Sequence, residues 1–165
     1  MSQALISEST GAAVYVFSDD RCPPHVHARH RGDGWVARLR FSYLSSQVEL
    51  MSVAPLKDYP LQQTVNRLLA DVEAGLPTCR WGWWATKPTT CLMNQWAVGL
   101  ATERIELSLT PFADAKQITD ATYDPDEERL RLAFPDGTTA DVSHDNDQPQ
   151  HHRRQICRGS SCRPG

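Results

Sequence analysis

Between Trp35 and Phe41 every second residue is apolar, and from Ala37 onward apolar and charged residues alternate without a break. Trp35, Ala37, Leu39 and Phe41 fall on one face; Val36, Arg38 and Arg40 fall on the other. Side chains with a period of two belong to a strand with one dry and one wet face, which points to an antiparallel sheet. The flanking segments follow the same rule. Ala13, Tyr15 and Phe17 alternate with Val14 and Val16. His25 to Arg29 forms a second strand, entered through Pro23-Pro24, a pair that cannot sit inside a central strand. Gly32-Asp33-Gly34 makes the turn into Trp35–Phe41, and Gln47 to Val53 is the fourth strand.

A helix is predicted next. Pro60 stands at its start, and Leu61, Val65, Leu68, Leu69, Val72 and Leu76 recur at helical spacing. Gly75 and Pro77 are expected to end it. Residues 78–100 hold Trp81, Trp83, Trp84 and Trp96, with room for a short helix within Trp83–Gly99. Glu103 to Leu109 alternates again, placing Ile105, Leu107 and Leu109 on one face. Ile118–Tyr123 and Arg129–Phe134 read as strands, with a hairpin turn at Pro135-Asp136-Gly137 and a return strand from Thr138 to Val142. From His144 the pattern stops, and the tail is expected to be disordered. The fold class is α+β: an antiparallel β-meander with a flanking amphipathic helix, plus a small C-terminal β-hairpin module. The expected divisions are 12–100 for the sheet-plus-helix module, 101–143 for the small β module and 144–165 for the tail.

Charge narrows the function classes. The formal net charge is −3, so no global basic field draws the chain to nucleic acid. The 14 Arg outnumber the 3 Lys, which suits bidentate binding of phosphate or carboxylate and also fits a GC-rich gene. No apolar run approaches the ~20 residues needed to cross a bilayer. Met1–Gly11 has neither the basic start nor the apolar stretch of a signal peptide. The expected location is cytoplasmic, with no membrane partner. In a reducing compartment the five Cys are expected to be free thiols or ligands, and their odd number argues against a closed disulfide framework.

The densest chemistry lies near the N-terminus. Cys22, His25, His27 and His30 follow Asp19 and Asp20 closely. On a strand His25, His27 and Arg29 share a face and His30 points away. His25 and His27 could act as acid and base on a phosphodiester, with Arg38 or Arg40 holding phosphate. They could also ligate a metal with Cys22, Cys79, Cys91, Asp19 or Asp20, although the spacing matches no standard zinc pattern and no native metal or cofactor is expected. A third alternative has both histidines capping hydrogen bonds on a half-buried strand. Trp81, Trp83, Trp84 and Trp96 close a small core, form a partner interface, or stack bases beside Arg80 and Lys87. Cys157, Cys162, His151 and His152 lie in the unpatterned tail, a poor ligand frame.

The run Asp19-Asp20-Arg21-Cys22-Pro23-Pro24-His25-Val26-His27-Ala28, with Val36-Ala37-Arg38-Leu39 after it, resembles domain-of-unknown-function family 4160 over about residues 13–75. Val26 stands where that family carries an aromatic residue. Ile118–Tyr123 followed by Arg129–Thr138 resembles the opening of domain-of-unknown-function family 2442, truncated, over about residues 116–143. The two families are often neighbours in bacterial genomes, which implies a toxin–antitoxin setting, an association and not a mechanism; the unpatterned tail suggests instead the run-on end of a mobile gene cassette. The expectation is therefore a binding module that takes a protein partner or self-associates as a homo-oligomer, with nucleic acid a further possible partner. Its surfaces would be the Trp81–Trp96 region and the His25–Arg40 strand face. The alternative is a small nucleic-acid or nucleotide hydrolase using His25 and His27, with or without a metal.

Overall fold

The computed structural model describes residues 2–99, 105–111 and 113–143. Among the described residues, eleven strands and two α-helices give the α+β class. Five strands form the main sheet: β1 (Ser2–Ile6), β2 (Ala13–Val16), β3 (His25–Arg29), β4 (Val36–Phe41) and β5 (Val48–Ala54). They are hydrogen-bonded in sequence order, all antiparallel. The expected meander is present with one strand more than its pattern announced. Ser2–Ile6 joins the edge as β1, paired from Ser2↔Val16 to Ile6↔Ala13 across a bulge.

The dry face is the predicted one. Val14, Val16, Val26, Ala28, Ala37 and Leu39 are fully buried or nearly so. Each buried Val or Leu contributes about 1.5–3 kcal/mol relative to leaving it in water. Two helices cover this face. α1 (Gln62–Ala74) buries Val65, Leu68 and Val72, and α2 (Leu76–Thr86) buries Leu76, Cys79, Gly82 and Trp83. Pro77 therefore opens a second helix instead of closing the first. Proline lacks only a donor that the first turn leaves unpaired in any case, so position N1 or N2 accepts it. Gly75 is the joint between the helices: a Cβ there would lie 2.4 Å from Leu5 Cδ2.

The remaining strands form two small sheets. β6 (Trp96–Val98) lies between β7 (Glu106–Ser108) and β8 (Lys116–Gln117). β10 (Arg129–Ala133) lies between β9 (Asp120–Asp124) and β11 (Thr139–Ser143). The predicted hairpin is present, with Gly137 at φ 79°. Leu130, Leu132 and Phe134 are its buried side. The alternation at Ile105, Leu107 and Leu109 does not make a buried face: Leu107 is 37% and Leu109 84% exposed. Tyr123 packs edge-on against Tyr43 at 4.8 Å and ties the β9–β11 sheet to the main core. The tail from His144 lies outside the described residues, as does the histidine and cysteine group within it.

One staple fixes the β1–β2 turn to α1. Asp71 Oδ2 accepts from Ser7 Oγ at 2.6 Å, Ser9 N at 2.9 Å and Ser9 Oγ at 2.8 Å. Partial burial pushes the Asp71 carboxyl up, but these three donors outweigh it and hold the group below 3.8. The carboxylate favours the folded state, so its contribution is fully present above the ordinary value and is lost as pH falls through the lower folded value. Asp71→Asn should therefore destabilise the protein at neutral pH, with the gap to the parent closing below about pH 4. Urea midpoints across that range check this; a gap that stays constant with pH would remove the charge from the account.

Candidate functional site

The loop between β2 and β3 brings the candidate residues together. Asp20 Oδ2 accepts from the Phe17 N–H at 2.9 Å, which closes the loop on itself. The chain then passes a cis Cys22–Pro23 peptide and enters β3 at His25. Register pairs His25 with Arg40 and His27 with Arg38, so these four positions share one side of the pleat. A bulge in β5 opposite Arg38 and Leu39 interrupts the ladder beside them.

His25 is 1% exposed, and its ring lies 5.5 Å from that of Trp83. Its Nδ1 donates to Pro23 O at 2.8 Å; Arg38 Nη2 lies 3.0 Å from its Nε2. The His27 side chain is 17% exposed, and its Nε2 donates to Asp20 Oδ1 at 2.9 Å. The same Oδ1 is 3.2 Å from His25 Nε2. Burial works to raise the Asp20 carboxyl, but the hydrogen bonds from the Phe17 N–H and His27 outweigh it and hold the group below its ordinary value.

His27 opens onto a cleft of about 370 Å³ lined by Tyr15, Phe17, Asp19, Asp20, Arg29, Arg31 and Val36. Phe17 meets the His27 ring edge-on at 4.7 Å. Arg29 follows His27 on the same face by the period of two, so its place was legible. Arg31 lies past the strand end, and no periodicity in the sequence marks it.

Other candidates separate from this group. Arg40 turns to Glu49 and is exposed, so it does not serve the histidines. His30 points away as expected, stacked on Trp35 at 5.1 Å with an interplanar angle of 11°. Cys22 is not a ligand, nor is Cys91: the two form a disulfide, against the expectation of free thiols. Only their convergence in three dimensions could reveal that, since 69 positions separate them. Cys79 stays a free, buried thiol pushed up to about 12 by burial, which makes it an inert packing residue.

The tryptophans do not form one surface. Trp83 is fully buried, Trp84 and Trp96 are half-buried, and Trp81 alone of the four is exposed, at 52%. Arg80 is unavailable to nucleic acid: it is 2% exposed and donates to Ser42 O and Ser45 O at 2.8–3.0 Å. No helix among the described residues is long and apolar enough to cross a membrane. No family model matches the chain, and no curated protein or solved structure matches it either.

Proposed function

We propose that the protein binds a small phosphorylated ligand with an aromatic part, a nucleotide by class, and hydrolyses it. The observation that carries this reading is the Asp20–His27 hydrogen bond at the floor of a cleft that also holds two guanidinium groups and two aromatic rings. Arg29 and Arg31 supply bidentate donors for phosphate. Tyr15 and Phe17 offer ring faces or edges to a base. Asp20 orients His27 and fixes which ring nitrogen is protonated, which leaves the imidazole able to exchange a proton with the ligand. The cleft's size suits one nucleotide better than a strand.

Calorimetric titration with a nucleoside monophosphate and with inorganic phosphate tests it. Both are expected to bind. Arg29→Ala and Arg31→Ala should each weaken binding by about tenfold, the value of one charge-assisted contact. His27→Gln should leave binding within a few-fold and abolish turnover of nucleoside di- or triphosphates. Failure of the parent to bind either probe would end the reading.

A second reading, the partner-binding module of toxin–antitoxin kind, is supported by a different place in the fold. β5 is an outer strand, and after it Leu56 is 80%, Tyr59 47% and Leu61 79% exposed. An open edge flanked by apolar side chains suits strand addition by a partner or a second copy. Light scattering of the parent beside Leu56→Glu/Leu61→Glu examines self-association; a monomer in both would leave only a foreign partner for this surface.

A further inference from the structure

Three side chains turn donor atoms toward one point. Asp20 Oδ1 lies 2.9 Å from His27 Nε2 and 3.2 Å from His25 Nε2, and all three donor atoms lie within 4.8 Å of one another. Bonds of about 2.0–2.2 Å to a transition metal, at tetrahedral or octahedral angles, place neighbouring donors about 3.0–3.5 Å apart. Two of the three edges already have about that length.

Two of the donors are aimed from behind. Asp20 Oδ2 takes the Phe17 N–H at 2.9 Å, which leaves Oδ1 turned inward. His25 Nδ1 faces Pro23 O at 2.8 Å, and a carbonyl only accepts, so Nδ1 carries the proton. The neutral ring then presents the lone pair of Nε2 to the cluster. Metal-binding histidines are oriented by this kind of outer hydrogen bond. The lone pair faces Asp20 Oδ1, and two acceptors at that distance repel each other unless a cation joins them. Arg38 supplies one from the side, donating to the same Nε2 at 3.0 Å. The partly exposed His27 gives an ion a path from the cleft.

We infer that Asp20, His25 and His27 form a site for a divalent first-row transition metal, with two imidazoles and one carboxylate on one face of the ion and the cleft on the other. Two imidazole donors select against Ca²⁺ and Mg²⁺, which prefer oxygen. Arg38 competes with the ion for His25 Nε2 and repels it by charge, so loading displaces the guanidinium. The inference rests on the same cleft as the nucleotide reading. In the loaded form His27 is a ligand through Nε2 rather than the proton acceptor, and metal-bound water takes that place.

The test is a Co²⁺ titration of the tag-free full chain, followed by visible d–d absorption, with Zn²⁺ content measured after gel filtration and no nucleotide present. One equivalent is expected that His27→Gln and Asp20→Asn each weaken by at least about tenfold. Both substitutions keep side-chain size, and far-UV circular dichroism checks the fold. Arg38→Ala, an exposed position, should bind more tightly than the parent, a change that a purely structural hydrogen-bond network would not produce. Equal metal content in parent, His27→Gln and Asp20→Asn overturns the site and assigns any bound ion to other residues. An Arg38→Ala affinity below that of the parent overturns the competition. Metal bound without nucleotide binding would sink the nucleotide reading alone.

Discussion

Trp83→Ala is expected to cost about 4 kcal/mol of unfolding free energy, the range for emptying a buried aromatic site. Trp83 is wholly buried on α2 and touches two parts of the fold at once. Its ring lies 5.5 Å from that of His25 and 6.3 Å, edge-on, from that of Phe41. Its Nε1 donates to Thr89 O at 2.9 Å, two residues before Cys91. Removal opens a cavity, orphans a carbonyl and frees the His25 ring. Trp83→Phe keeps most of the packing and loses the hydrogen bond, so it should cost distinctly less, about 1–2 kcal/mol. Urea denaturation of both variants decides the matter. A loss under 1 kcal/mol for the alanine variant would mean that the helix is not seated on the sheet as described.

The second large effect concerns Cys22–Cys91. A cross-link spanning 69 positions removes much chain entropy from the unfolded state, worth about 4 kcal/mol on the loop-length relation. Cys22→Ser/Cys91→Ser should lose about that much stability. It should also loosen the site, because Cys22 stands between Asp20 and His25 in the loop that aims both. Thiol counting on air-oxidised protein under denaturant checks the bond directly. Two fewer reactive thiols than in the reduced protein are expected. If every cysteine reacts without reductant, the cross-link is absent and the stability loss should vanish with it.

The sheet was legible because period-two alternation is a local signal. β2 to β5 needed only the faces of Tyr15, His27, Leu39 and Val53 to be assigned. Ser2–Ile6 has no such alternation; it lies against β2 through a turn closed by the Ser7 N–H to Ala12 O and Gly11 N–H to Ser7 O bonds. Pro77 was misread because a proline after a glycine ends one helix or begins another, and the choice rests on the core waiting for Trp83. Within the site, the shared face of His25, His27 and Arg29 follows from strand geometry. The choice of Asp20 over its neighbour Asp19 does not, because it depends on the Phe17 N–H across the loop. Arg40 was lost to Glu49, a cross-strand partner visible only once the register was fixed.

The strand order of the main sheet also bears on how the chain reaches its native state. Every strand pairs with its neighbour in sequence, so each ladder closes a short loop, which favours rapid folding for a sheet protein. Asp20, His25, His27 and Arg38 all lie within the first 40 residues, on one hairpin and the loop that precedes it. During synthesis this hairpin is complete before either helix has been made. The constellation can therefore assemble on the emerging chain, and the later arrival of Trp83 and Cys91 locks it in place.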